Sequence, residues 1–281
     1  MSATVQHKVA VPRQRMPPVL VVTGEAGVPE RQVKSVERVR DLGEVFTPAA
    51  TVQAMLDLLP EAMWETHPSP TFLEPACGDG NFLVTILARK LERVAAAFDA
   101  GTLPAGTNAS ALQFHALESL ASIYAFDISP DNVVGGTPGH ERGARIRLLD
   151  LLGDWFDARA PRAKAAQAAL MAAATWVVER NIQVANMLLT DADGRPSGRE
   201  HLLLVEYRWE PATLSVTASV TTLGAVMAAA DEATSSVMSL FAAPEPEVIW
   251  SGQAAQMVEA PVPMPESRVR HVRNGNGRGA P

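Results

Sequence analysis

The chain's 281 residues suffice for one domain of ordinary size plus tails, and 47% hydrophobic residues supply a full core. With aromatics at only 5%, that core is mostly Ala, Leu and Val. A formal net charge of −7 excludes a chain that grips nucleic acid over its whole surface, so DNA contact requires a local basic patch or a partner subunit. The single cysteine, Cys77, excludes an internal disulfide, and no apolar run is long enough to span a bilayer. Met1 to Arg15 holds no signal-peptide core, so the expected location is the bacterial cytoplasm and no membrane partner is expected.

Residues 1 to about 40 read as a poorly ordered arm. Pro17-Pro18 and the stretch from Gly24 to Pro29 interrupt any long element, leaving room for a short strand at Val19 to Thr23 and a charged helix at Gln32 to Asp41. Thr47-Pro48 offers an N-cap and a first-turn proline to a helix whose apolar stripe is Val52, Met55, Leu56 and Leu59 and which Pro60 ends. A short strand follows, Thr71 to Glu74. It runs into Glu74-Pro75-Ala76-Cys77-Gly78-Asp79-Gly80-Asn81-Phe82, after which apolar residues recur at helical spacing to about Phe98.

Strand, tight glycine turn and helix together place free backbone N–H groups and the positive end of a helix dipole beside the turn. Gly78 and Gly80 lack a Cβ, which predicts close approach of a ligand to the main chain. A dinucleotide turn requires a third glycine where Leu83 stands, and a P-loop requires Gly-Lys-Ser/Thr where Asn81-Phe82 stands. The turn instead carries two acids, Glu74 and Asp79. Acids suit a ligand with a cationic centre and an ammonium group, and S-adenosylmethionine has both. Cys77 reads as a small residue filling the turn.

Further along, 101–106 is a loop and Ala109 to Leu120 an additional helix. Ser122 to Ser129 is a strand ending in an acid, Asp127, which in a nucleoside-binding α/β fold accepts hydrogen bonds from ribose hydroxyls. The interval from Gly80 to Asp127 is more than twice the about 20 residues of the minimal unit, and the additional helix accounts for it. Val133 to His140 is a glycine-rich loop, Arg142 to Phe156 and Ala163 to Val178 are helices, and Asn181 to Leu188 contains a short strand. After a hairpin-type loop at 191–198, strands are expected at His201 to Trp209 and Thr213 to Val220, with a turn at Glu210-Pro211, then a helix from Thr222 to Phe241. From Ala243 the Pro-, Gly- and Arg-rich chain reads as a disordered tail; Arg268, Arg270, His271, Arg273 and Arg278 make it basic, as a solvated terminus.

Two of these stretches resemble a family. Glu74 to Phe82 resembles the cofactor motif of the adenine-N6 DNA methyltransferases of restriction–modification systems. Upstream, Gly43-Glu44-Val45-Phe46-Thr47-Pro48 resembles that family's first motif, whose core is Phe-Thr-Pro, and the order and spacing agree. Asn181 to Leu188 resembles a third motif, in which Asp or Asn at a strand end recognises the cofactor's adenine amino group. The resemblance implies S-adenosylmethionine as cofactor. Glu74, Ala76, Gly78 and Gly80 would hold the methionine part, Asp127 the ribose and Asn186 the adenine, with Phe46 and Thr47 closing over it. No metal is expected, since the sulfonium is already a good leaving group.

The family's catalytic tetrapeptide, Asn/Asp/Ser-Pro-Pro-aromatic, accepts hydrogen bonds from the amine of a flipped adenine. It has no counterpart after Asn186. The sole Pro-Pro is Pro17-Pro18, and Tyr207, Trp209 and Pro211 supply rings without the motif, so those rings are expected in a core or edge strand. Too few residues remain for a target-recognition domain.

The expected organisation is a flexible arm over 1–40, a methyltransferase-like cofactor-binding domain over 41–242 and a tail over 243–281. The expected fold is α/β, a Rossmann-like, doubly wound, mainly parallel sheet with helices on both faces. The expected function is an adenine-N6 DNA methyltransferase, or the modification subunit of a restriction system. It would meet DNA directly or through a restriction or specificity subunit. The alternative is a non-catalytic cofactor-binding subunit working with a DNA-reading partner. A methyltransferase for a small molecule or a protein fits less well, because of Phe-Thr-Pro.

Overall fold

Three short strands, β1 (Phe72–Glu74), β2 (Ile123–Asp127) and β3 (Ile182–Val184), form a parallel sheet in the order β1-β2-β3. Its register pairs Phe72 with Ile123, Glu74 with Ala125, and Asp127 with Val184. The computed structural model describes residues 46–136, 141–191, 193–234 and 246–257. The arm expected over 1–40, the Gly43-Glu44-Val45 part of the upstream motif and the basic end of the tail lie outside the described residues.

Long helical crossovers join the parallel strands, as parallel pairing demands. Between β1 and β2 run α2 (Asn81–Asp99) and α3 (Ala109–Ala121). Between β2 and β3 come the short α4 (Pro130–Val133), then α5 (Ala144–Arg159) and α6 (Lys164–Asn181). Preceding them all is α1 (Ala49–Leu56). Asn108 caps α3, its side chain accepting from Ala111 N at 2.9 Å. Every residue of α3 from Ala111 onward is buried, so this helix is enclosed on all sides rather than amphipathic.

Strand alternation divides the core in two. Ile123, Ala125 and Ile182 join the helix-covered cluster with Leu83, Leu87 and Phe114. Phe126, from the opposite face of β2, packs with Ala185, Leu204 and Leu223. That second face meets not helices alone but an antiparallel sheet, β4 (Leu203–Glu210), β5 (Ser215–Thr222) and β6 (Glu247–Gln253), and the helix α7 (Leu223–Thr234). The Tyr124 hydroxyl donates to the Val205 carbonyl, and Gln183 Nε2 donates to the Leu203 carbonyl at 2.7 Å. The molecule is thus mixed α/β, with one parallel and one antiparallel sheet. The strand order does not reverse among the described residues, whereas reversal defines a doubly wound sheet.

Two expectations are corrected here. The tail expected from Ala243 contains β6, which pairs antiparallel with β5. Val248-Ile249-Trp250 is a β-branched and aromatic run hidden by its Pro- and Gly-rich surroundings. Ile249, Ala254 and Met257 are buried, and Ala254 N donates to the Leu214 carbonyl at 3.0 Å. At the other end, Thr47 does not cap α1. Pro48 is the N-cap residue, with no side-chain hydrogen bond, because the Thr47 carbonyl is turned to Asn81 Nδ2 at 3.0 Å. Val52 and Leu56 are buried as expected, but Met55 is exposed.

The entry to β1 is fixed by a buried cation. Lys90 of α2 is 2% exposed, and its Nζ donates to Ser69 Oγ at 2.8 Å and to the Pro70 carbonyl at 2.7 Å. Burial lowers its pKa to about 8, partly offset by the Glu118 charge. Between pH 8 and the ordinary lysine value the unfolded chain therefore holds more protons than the folded one, and stability rises with pH. Tyr124 and Tyr207, held neutral by burial, act in the opposite direction only above pH 10 or so. Chemical denaturation is expected to show a gain on the order of 2 kcal/mol from pH 7 to pH 10, and Lys90→Met is expected to flatten it.

Candidate functional site

The carboxyl ends of the three parallel strands deliver three polar side chains to one edge. Glu74 ends β1, Asp127 ends β2, and Asn186 lies two residues beyond β3. The register makes Asp127 the neighbour of Val184, and Ala185 N donates to the Asp127 carbonyl at 2.9 Å, which carries the ladder on toward Asn186.

The glycine turn follows β1. Cys77 N donates to the Phe126 carbonyl at 2.9 Å and Gly80 N to the Cys77 carbonyl at 3.0 Å, so the turn is closed on itself and tied to β2. Gly78 and Gly80 take φ of +54° and +95°, the left-handed region, which the turn needs in order to enter α2 directly at Asn81. Burial, reinforced by the carboxylates of Asp127 and Glu74, holds the Cys77 thiol far up in its protonated form. The expectation that Cys77 fills space agrees with that.

The absent Cβ atoms serve a different purpose from the expected one. A Cβ at Gly78 would lie 3.0 Å from the Phe46 ring, and one at Gly80 would lie 3.0 Å from Ala144 Cβ on α5. The missing atoms therefore make room for protein, not for open approach of a ligand. Phe46 covers the turn, and the Thr47 carbonyl is bound to Asn81 at its far side. Ala76 remains exposed beside Glu74.

Asp127 is the organising residue. Its Oδ2 accepts the Gly78 N–H at 2.9 Å, and its Oδ1 accepts the Ser129 N–H at 2.8 Å and Asn132 Nδ2 at 3.0 Å. At 8% exposure it works chiefly inward, holding the turn in shape. Of the roughly four acceptor positions of a carboxylate, three are in use, which leaves room for about one donor from a ligand. Glu74 Oε1 accepts the Ala76 N–H at 3.2 Å, and burial raises its pKa against that bond. Asn186 Oδ1 accepts the Leu188 N–H at 3.0 Å, a local turn that directs its amide along the loop.

Two features were missed from sequence. Arg147 of α5 lies 3.0 Å from Asp79 Oδ1, donates to the Asp79 carbonyl at 2.8 Å and donates to Asn81 Oδ1 at 2.9 Å. It compensates the second acid of the turn, leaving Glu74 as the acid without a cationic partner there. The sequence separation of Arg147 from the turn gave no signal. Ile128, directly after Asp127, is 47% exposed, an apolar surface beside the acid that a flat ring can cover. An apolar residue outside the strand's burial pattern was the available clue.

A cleft of about 740 Å³ lies elsewhere, on the second face of the sheet and toward the amino ends of β1 and β2. Its lining includes Thr71, Leu73, Tyr124, Tyr207 and Trp209. The two rings of β4 are anchored in the fold: Tyr207 OH donates to Asn181 Oδ1 at 3.0 Å, and the Trp209 ring meets Phe114 edge-on with centroids 5.3 Å apart.

No protein-family model, curated protein or solved structure matches the chain. The geometry therefore carries the chemistry. An edge with an unpaired, partly buried carboxylate, a half-buried amide and an adjacent exposed apolar side chain fits a ligand that is cationic at one end and flat and polar at the other. Among the described residues no helix is long and apolar enough to cross a membrane.

Proposed function

We propose that this chain is the cofactor-binding subunit of an S-adenosylmethionine-dependent adenine-N6 DNA methyltransferase system, working with a partner that reads DNA and supplies the base pocket. The observation that carries this reading is the convergence of Glu74, Asp127 and Asn186 at the carboxyl ends of adjacent parallel strands, beside a glycine turn that opens a helix. In this reading the three strands are one half of a Rossmann-like, doubly wound sheet of the class I methyltransferase kind.

Glu74 faces the ammonium group, with the main chain at Ala76, Gly78 and Gly80 shaping the methionine end. Asp127 holds the turn and accepts one ribose hydroxyl, and Asn186 meets the adenine amine with Ile128 against the ring. Phe46 and Thr47 close the near side. When bound, the cofactor supplies a methyl group on a sulfonium that is already a good leaving group, so these residues have only to bind and orient it.

The non-catalytic form of the reading rests on a specific observation. Tyr207 and Trp209, the rings nearest in sequence to the expected tetrapeptide, are held by Asn181 and Phe114 on the far side of the sheet. Net charge of −7 likewise assigns the DNA contact to a partner. A tritiated-methyl transfer assay on unmethylated DNA tests this. The isolated chain is expected to incorporate no label, and the chain with the products of its neighbouring genes to incorporate it. Label transferred by the isolated chain would show a complete enzyme instead.

A further inference from the structure

His67, His115 and Glu118 converge beneath the segment that leads into β1, away from the strand ends that hold the candidate cofactor site. His115 and Glu118 stand one helical turn apart on α3, and their side chains are 0% and 1% exposed. His67 reaches in from the preceding loop and is 23% exposed.

The geometry calls for a positive charge. His115 turns both ring nitrogens to acceptors: Nε2 lies 2.8 Å from the Pro104 carbonyl, and Nδ1 lies 3.1 Å from Glu118 Oε2. A carbonyl only accepts, so Nε2 carries the proton, and Nδ1 of the neutral ring aims its lone pair at a carboxylate oxygen. Two lone pairs at that separation repel unless a cation sits between them. His67 Nδ1 lies 2.8 Å from Glu118 Oε1, which also accepts the Ser69 N–H at 3.1 Å.

We propose that His67 Nδ1, His115 Nδ1 and a Glu118 oxygen bind a divalent transition-metal cation of the zinc class. The donor set, two imidazoles and a carboxylate, suits that class. One ligand atom from each residue lies within 4.8 Å of the others. Atoms about 2.1 Å from a tetrahedral ion are about 3.4 Å apart, so the 2.8 and 3.1 Å separations need only small adjustment. The supporting shell is already built. The Pro104 carbonyl fixes the His115 tautomer, and the Ser69 N–H orients the carboxylate. Lys90 is occupied by Ser69 Oγ and Pro70 and contributes no ligand.

His67, Ser69 and Glu118 also line the 740 Å³ cleft, which gives the ion a route in and a water for its fourth position. The ion staples the 65–70 segment to α3 and so fixes the start of β1. It plays no part in methyl transfer, and the inference stands independently of the cofactor reading. The competing occupant is a proton, which would make His115 an imidazolium.

The test uses the full chain without a histidine tag, stripped with a chelator and titrated with Zn²⁺ and, separately, Co²⁺. One equivalent of Zn²⁺ per chain is expected, with visible Co²⁺ absorption of the tetrahedral type. Free Zn²⁺ at 100 times the dissociation constant is expected to raise Tm by about 5–10 °C. His67→Gln and Glu118→Gln are each expected to weaken binding at least about tenfold. Should Glu118→Gln not fold, His67→Gln carries the comparison, since His67 lies at the edge of the cluster. Folded wild-type protein that takes up no Zn²⁺ would overturn the proposal. So would uptake unchanged in His67→Gln, or nitrogen NMR showing both His115 nitrogens protonated at saturating Zn²⁺.

Discussion

Asp127→Ala is expected to destabilise the fold by about 3 kcal/mol, lowering Tm by roughly 6–12 °C for a domain of this size. The carboxylate gathers three donors: the N–H groups of Gly78 and Ser129 and the amide of Asn132. Ser129 and Asn132 are themselves buried, so truncation leaves donors without water to replace the lost acceptor. Because the bond to Gly78 joins the end of β2 to the turn after β1, the loss also loosens the cradle. The same variant is expected to weaken S-adenosylmethionine binding more than the loss of one ribose contact would. Asp127→Asn separates shape from charge. It keeps one acceptor oxygen but sets an amide NH₂ against one of the donor groups, and is expected to fall between the parent and Asp127→Ala in Tm. A Tm within about 2 °C of the parent for Asp127→Ala would contradict the organising role.

Gly80→Ala is expected to cost a similar amount, about 3 kcal/mol, by a different route. Part is backbone: φ of +95° places an L-residue in the left-handed region, at about 1–2 kcal/mol. Part is crowding, since the new Cβ would lie 3.0 Å from Ala144 Cβ and 3.2 Å from Ala144 Cα, on a helix backbone that cannot swing aside. The two parts are separable by a double-mutant cycle. Ala144→Gly in the Gly80→Ala background is expected to restore the crowding part and leave the backbone part. Equilibrium denaturation of the four proteins measures both. A Gly80→Ala protein within about 0.5 kcal/mol of the parent would show that the turn is not held as described.

Local patterns in the sequence carried the first crossover well. The apolar spacing after Asn81, the paired glycines and the acid closing β2 all depend on residues near one another in the chain, and each is found where it was expected. What escaped is what depends on distant pairing. The antiparallel sheet lies across the face where helices were expected, because hydrogen bonds such as Gln183 to Leu203 are invisible to periodicity. The β6 strand was masked by the composition around it. Thr47 was misread as a cap because its carbonyl answers to Asn81, 34 residues on.

The site divides in the same way. The polar residues at the strand ends were legible as strand-end residues, but their commitments were not. Asp127 spends most of its carboxylate on the protein, and the space over Gly78 and Gly80 goes to Phe46 and Ala144. The pairing of Arg147 with Asp79 could not be foreseen, and it changes which acid of the turn is left to meet a cation. His115 and Glu118, three residues apart on one helix, were visible as a pair. Their third partner, His67, is 51 residues from Glu118 and joins them only in the folded chain.

Titration calorimetry of the full chain with S-adenosylmethionine tests the central claim most directly. Saturable binding at one site per chain is expected, weakened at least about tenfold by Glu74→Gln, in which the ammonium group loses its charged partner. A folded protein that gives no binding heat at millimolar S-adenosylmethionine would contradict the account, as would binding that Glu74→Gln leaves unchanged.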